Sequence, residues 1–329
     1  MSNLATEWRL RALTDLWTGS VRLEQRNNEL QERIVPDRLV TPGLLGSIRW
    51  WFEVLARGLG GAACDPSPDG NRCPDQQGKR CVVCELFGCT GWGRKFRFEV
   101  RDASGATVED QIKSNTAFSL CFTPLRPIAA EEWALLDLTI RLIADYGAIG
   151  GKTVLKPSDE AARRGLPHHR DYGIVKVEQR PNIQPWSQAE LERYVRNSHW
   201  RRPPQENFAW ASLTNFWYVN GKYLARQSAN QSTFNKVIGR PEPKSQAANG
   251  DSWLAGQRPD RRRNVDAASK KVFSFRSPPR TFGFVAPGVV TFDQMKQRLA
   301  QAWGSLGPSD FVAGDVLLTR LTTHGGATP

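Results

Sequence analysis

The sequence predicts an α+β fold, and three observations carry that expectation. Segments of strict apolar alternation, such as Arg94–Arg101, sit beside segments of helical spacing, such as Thr41–Leu55. Their order in the first half is strand, helix, strand, strand, helix, strand, the ferredoxin-like or RRM arrangement. A chain of 329 residues, 40% of them apolar, is long enough for two domains with packed cores.

The elements follow in order. Trp8–Thr18 alternates partly and reads as a strand ending at Gly19. Thr41 is a good helix cap and Pro42 suits the first helical position. Leu45, Ile48, Phe52 and Leu55 recur at helical spacing and form the expected buried face, with Arg49, Glu53 and Arg57 off it. Gly58, Gly60 and Gly61 end the helix. Residues 62–92 are rich in turn formers and read as a loop. Arg94–Arg101 and Thr116–Thr123 read as strands. Pro127 opens a second helix through Trp133, Leu136, Ile140 and Ile143, and Tyr172–Val177 is a last strand.

The second half is harder to read. Leu191–Ser198 looks helical, and Phe208–Val219 is aromatic and ambiguous. Lys271–Phe275 and Thr281–Val285 suggest a hairpin, Thr291–Trp303 a helix and Val316–Leu321 a strand. Prolines within Arg180–Pro185 mark a boundary, giving domains 1–182 and 183–329. Residues 240–264, rich in Pro, Asn, Gly and Arg, read as a mobile loop.

The formal charge is +12, which favours a polyanionic partner, most often nucleic acid. Residues 1–182 carry 25 Lys+Arg against 23 Asp+Glu, net +2, and residues 183–329 carry 20 against 10, net +10. The second half therefore supplies most of the long-range attraction for phosphates. The N-terminus lacks a basic-then-apolar start, and no apolar run approaches the roughly 20 residues of a membrane span. These features predict a cytoplasmic protein without membrane association. Its six cysteines are then expected as thiols or metal ligands, not disulfides.

Four of them cluster in the loop. Cys64, Cys73, Cys81 and Cys84 are separated by eight, seven and two residues. Cys81-Val82-Val83-Cys84 is a compact two-thiolate unit, and the other pair can close a tetrahedral zinc site that orders a loop without a core. Cys89 is a possible substitute, and free surface thiols are the plainer alternative.

Several groups suit a polyanion. Gly43 and Gly46 leave backbone N–H groups at a helix start approachable by phosphate. Arg49 can pair with phosphate and Trp50 can stack on a base, unless Trp50 packs on the sheet and Arg49 serves Glu53. Gly147–Lys152 is a glycine-rich turn ending in a cation, without P-loop spacing. Lys156, Arg163, Arg164, His168, His169 and Arg170 read as a basic, flexible insertion. Arg261, Arg262 and Arg263, with Lys270, Lys271, Arg276 and Arg280 interleaved with Phe273, Phe275 and Phe282, suit single-stranded RNA or DNA. Only four histidines occur, none before His168, and no nucleophile–base set or paired-carboxylate pattern stands out.

Three stretches resemble the RAMP superfamily: Thr41–Phe52, Cys81–Gly88 and Gly147–Lys152, in family order. The first is similar to the first subunit of the Cmr module, the type III-B CRISPR RNA-guided complex. The resemblance implies two tandem ferredoxin-like (RRM/RAMP) domains, and the cysteine spacing adds a zinc-binding loop inserted in the first. It implies a non-catalytic, RNA-binding role in antiviral defence. The chain would hold the 3′ region of the CRISPR RNA and its paired target RNA at one end of a filament of RAMP-like subunits. RNA contact falls on Gly43, Gly46, Arg49, Trp50, Gly150, Gly151 and Lys152. Cys89 stands where the family has a small residue after Leu-Phe-Gly, which leaves Cys64, Cys73, Cys81 and Cys84 as the metal set. Two other readings are a RAMP endoribonuclease that processes CRISPR RNA, and a zinc-stabilised single-strand-binding protein outside CRISPR systems.

Overall fold

The computed structural model describes residues 5–18, 20–26, 29–35, 38–65, 72–153, 156–203, 208–240, 253–257 and 268–323. The strands are β1 (Thr6–Ala12), β2 (Ser20–Arg26), β3 (Glu29–Val35), β4 (Phe96–Asp102), β5 (Ala117–Pro124), β6 (Val175–Gln179), β7 (Phe216–Asn220), β8 (Val272–Arg276), β9 (Pro279–Phe284) and β10 (Phe311–Ala313). The helices are α1 (Thr41–Gly58), α2 (Val82–Phe87), α3 (Ala130–Tyr146), α4 (Ala161–Arg164), α5 (Gln188–Val195), α6 (Thr233–Val237), α7 (Phe292–Trp303) and α8 (Gly314–Thr323). Two compact units result, one of residues 1–152, 172–213 and 318–329, the other of 153–171 and 214–317. The fold is mixed α+β with two four-stranded antiparallel sheets.

In the first unit the sheet order is β4-β5-β1-β6, every neighbour antiparallel. With α1 between β1 and β4, and α3 between β5 and β6, this is the strand order that the βαββαβ reading requires. Alternation places Trp8 and Leu10 of β1, Phe96 and Val100 of β4, and Phe118, Leu120 and Phe122 of β5 in the core. The indole N–H of Trp8 donates to Asp137 of α3 at 2.9 Å, which ties the central strand to the second helix. Arg180 closes on the same carboxylate.

The first strand is shorter than the sequence suggests. It stops at Ala12, because the following residues leave the ladder and Leu16 bonds the Ile112 carbonyl instead. Helix α1 begins at Thr41 with Val40 as the cap residue, so Thr41 does not cap it. Leu45, Ile48, Phe52 and Leu55 are buried as expected, but so are Glu53 and Arg57. The helix is covered on a second side: Arg57 donates to the Ala211 carbonyl, and Leu213 crosses at Gly58. The β2–β3 hairpin, paired from Ser20↔Val35 to Arg26↔Glu29, has no counterpart in the sequence reading.

The second unit repeats the plan. Its sheet order is β10-β7-β9-β8, all antiparallel, with α6 and α7 in the helical positions. Trp217, Val219, Phe234, Val237, Met295 and Leu299 form one core cluster. The hairpin expected near 271–285 is β8–β9. Its phenylalanines do not serve as exposed stacking groups. Phe282 stacks on Phe273 and Phe275 at 4.8 and 5.7 Å, and all three are buried, as are Lys271 and Arg280. Val316–Leu321, expected as a strand, lies in α8. Leu317, Leu318 and Leu321 are its buried positions, a helical and not an alternating spacing. The basic insertion contains α4, with Arg163 on Glu160 and His169 on the Lys156 carbonyl. No described helix is long and apolar enough to cross a membrane.

Candidate metal centre and glycine turn

Cys64, Cys73, Cys81 and Cys84 converge: each offers one sulfur, and the four lie within 4.8 Å of one another. A tetrahedral ion with metal–sulfur bonds of about 2.3 Å needs sulfurs roughly 3.8 Å apart. The cluster therefore fits one four-coordinate ion; Cys64 and Cys84 stand 3.3 Å apart. All four residues are buried. Cys81 caps α2, accepting from the Cys84 N–H at 3.4 Å, while the Cys81 N–H donates to Cys73 at 3.2 Å. The segment read as a loop thus contains a short helix built on its Cys-x-x-Cys. Cys89 lies outside the set, in a turn closed by mutual backbone bonds with Trp92.

Charge around the sulfurs is organised. Arg49 of α1 donates to Cys84 Sγ at 3.2 Å, to the Gly88 carbonyl at 3.0 Å and to Glu53 at 3.1 Å. Burial opposes the charge on Arg49, but Cys84 and Glu53 outweigh it and hold the guanidinium more firmly protonated. Arg201 reaches Cys73 Sγ at 3.6 Å. Hydrogen bonds among the sulfurs divide the thiols. Cys64 is raised by Cys73 but lowered further by Cys81 and Cys84, to about 6; Cys73 is lowered, and Cys81 and Cys84 are raised. Below the knot, Lys95 bridges Glu85 and Glu132 at 3.0 and 2.9 Å. Burial pushes the Glu85 carboxyl up, but Lys95 and Arg80 prevail and lower it. Trp92 is flanked by Arg80 and Arg126 at 3.7 and 3.9 Å from its ring.

The glycine turn meets the start of α1. The Gly150 N–H donates to Ser47 Oγ at 3.0 Å, and Trp51 donates from its indole to the Ala148 carbonyl at 2.8 Å. Gly150 has φ +88, and a Cβ there would lie 2.7 Å from the Trp17 carbonyl oxygen, so a side chain is excluded twice over. Gly151 packs on the Trp17 ring, and Lys152 places its Nζ 4.1 Å over that ring. Gly43 approaches the Thr18 carbonyl, whereas Gly46 faces open space. Trp50 is half-buried, edge-on to Trp51 at 4.9 Å. The structure therefore brings Gly43, Gly46, Gly150, Gly151 and Lys152 to one end of α1, and places Arg49 at the cysteine cluster. Arg261, Arg262 and Arg263 lie outside the described residues. Sequence reasoning missed Arg201 and Trp17; neither is near its partner in the chain.

The RAMP superfamily model matches residues 9–155. The chain is also similar to solved structures. One is Cmr1 from Pyrococcus furiosus in its apo form: 11% identity, 87% of this chain and 89% of that chain covered, TM-score 0.38. Another belongs to a type IV-B CRISPR complex: 11% identity, 59% of this chain and 100% of that chain covered, TM-score 0.33. No curated protein matches.

Proposed function

We propose that this chain, a RAMP-superfamily sequence over residues 9–155, is a non-catalytic RNA-binding subunit of a type III CRISPR ribonucleoprotein in antiviral defence. In this reading it binds the 3′ region of the CRISPR RNA and its paired target RNA at one end of the filament, beside other RAMP-like subunits. The observation that carries the reading is the superfamily match itself. It spans the first helix, the cysteine knot and the glycine turn, and the Gly150–Ser47 bond joins the first and last of these. The net charge of +12 supports a polyanionic ligand.

The four cysteines are read as a structural zinc site. A buried, closed set of four thiolates leaves no coordination position for substrate, which suits a fold-stabilising ion. RNA backbone approaches the end of α1 at Gly43, Gly46, Gly150 and Gly151. Lys152 supplies charge there and Trp50 a stacking face.

The test is direct. Labelled single-stranded RNA should be retained at low salt, released as salt rises and recovered intact. Metal-independent, site-specific cleavage that a histidine substitution abolishes would establish the processing-enzyme reading instead.

A further inference from the structure

We propose that Arg49 and Arg201 are positioning residues of the metal centre, and that through Arg201 the bound ion anchors the connector 196–203 to the cysteine knot. The inference rests on the zinc reading above.

Four thiolates and one divalent ion leave two negative charges, and here they are buried: Cys81 and Cys84 are fully enclosed, Cys64 and Cys73 nearly so. Such a charge is costly unless donors and cations meet it. Backbone N–H groups reach two sulfurs, Cys73 from Cys81 and Cys81 from Cys84. The guanidiniums add charge-bearing donors on Cys84, from Arg49, and on Cys73, from Arg201. A guanidinium suits the task because its several N–H groups serve more than one acceptor at once. Arg49 does this, reaching the sulfur, Glu53 and the Gly88 carbonyl together.

Arg201 stands 128 residues from its sulfur. It is only 7% exposed, and its backbone N–H donates to the carbonyl of Arg80, next to Cys81, at 2.9 Å. The connector that carries it follows α5, whose C-cap residue Arg196 bonds the Leu59 carbonyl at the end of α1. Metal occupancy thus bears on a segment that contributes no ligand.

The experiment compares zinc release to a colorimetric chelator from the full chain and its variants, with hydrogen exchange at 196–203. Wild type should carry one zinc. Arg49→Ala and Arg201→Ala should each hold it at least about tenfold more weakly, the scale of lost outer contacts to metal ligands. Lys79→Ala, which removes an exposed cation two residues before Cys81, should match wild type. With zinc saturating, Arg201→Ala should speed exchange at 196–203, as metal removal does in wild type. Arg49→Ala should leave that segment protected. If the alanine variants do not fold, Arg49→Lys and Arg201→Lys decide: the charge stays, the fork is lost, and faster release than wild type upholds the proposal. Wild-type zinc retention in the variants, with exchange at 196–203 indifferent to metal, overturns it. A wild-type chain free of zinc would instead sink the zinc reading itself.

Discussion

The Gly150 N–H donates to the Ser47 hydroxyl at 3.0 Å, so the turn after α3 is fastened to the first turns of α1. Substituting either partner tests that fastening. Gly150→Ala puts a side chain at φ +88 and drives its Cβ to 2.7 Å from the Trp17 carbonyl oxygen. Unfavourable φ/ψ regions alone cost about 1–3 kcal/mol, and the backbone clash adds to that. Ser47→Ala removes one acceptor and should cost about 1 kcal/mol. Denaturant unfolding of both variants measures the difference. Equal stabilities would mean the turn yields readily.

Metal removal is predicted to act locally. Cys81→Ser removes one of the four clustered sulfurs, the one that caps α2. Zinc content should fall from about one per chain toward zero. Protease sites should open within 72–92, a segment whose only nearby cluster of this kind is the four sulfurs themselves among the described residues. Metal analysis with limited proteolysis checks both. A metal-free wild type with equal protease resistance would leave the knot a set of packed thiols.

The pH dependence of the second unit should carry a mark of Asp171. Its carboxylate accepts N–H bonds from Arg276 and Ser277 at the β8–β9 turn, both at 2.9 Å. Burial nevertheless raises its pKa from 3.8 to about 6, the two backbone bonds and Arg276 opposing. A carboxyl raised on folding binds more protons in the native than in the unfolded state between pH 4 and 6. Its contribution is therefore full below about pH 4 and lost as pH rises to 6, by up to about 3 kcal/mol. Asp171→Asn should flatten that part of the stability profile. Denaturant midpoints at pH 4, 5, 6 and 7 measure it, and an unchanged slope in the variant would assign the titration to another group.

What the sequence revealed and what it hid follow from distance along the chain. Helix α1 was legible because Leu45, Ile48, Phe52 and Leu55 repeat within one element. Cys81 and Cys84 were legible because two cysteines with Cys-x-x-Cys spacing sit on one turn. Cys64 and Cys73 could be counted but not placed, and their convergence on the pair is a property of the fold. Arg201 was hidden, since nothing in Arg201-Arg202-Pro203 marks a partner of Cys73. The same blindness turned Phe273, Phe275 and Phe282 into stacking candidates: alternation identifies a strand, but not whether its second face is covered. Val316–Leu321 reads as a strand, although its buried leucines follow a helix, a common ambiguity of short apolar runs.

Lys152 offers the sharpest test of the proposal that this end of α1 faces RNA. It has φ +57, unusual for a residue with a side chain, and its ammonium lies 4.1 Å from the Trp17 ring. Two roles compete. As a phosphate partner, its loss in Lys152→Ala should weaken RNA binding by roughly 1–3 kcal/mol and lower the salt dependence by about one counterion. As a partner of Trp17 alone, its loss should cost about 0.5–1 kcal/mol of stability and leave RNA affinity untouched. Lys152→Gly separates backbone from charge, because it relieves the positive φ while also removing the ammonium. The RNA-facing reading expects Lys152→Gly to bind RNA as weakly as Lys152→Ala although it relieves the backbone. The Trp17 reading expects wild-type RNA affinity and salt slope in both variants, and that result would move the RNA surface away from this end of the helix.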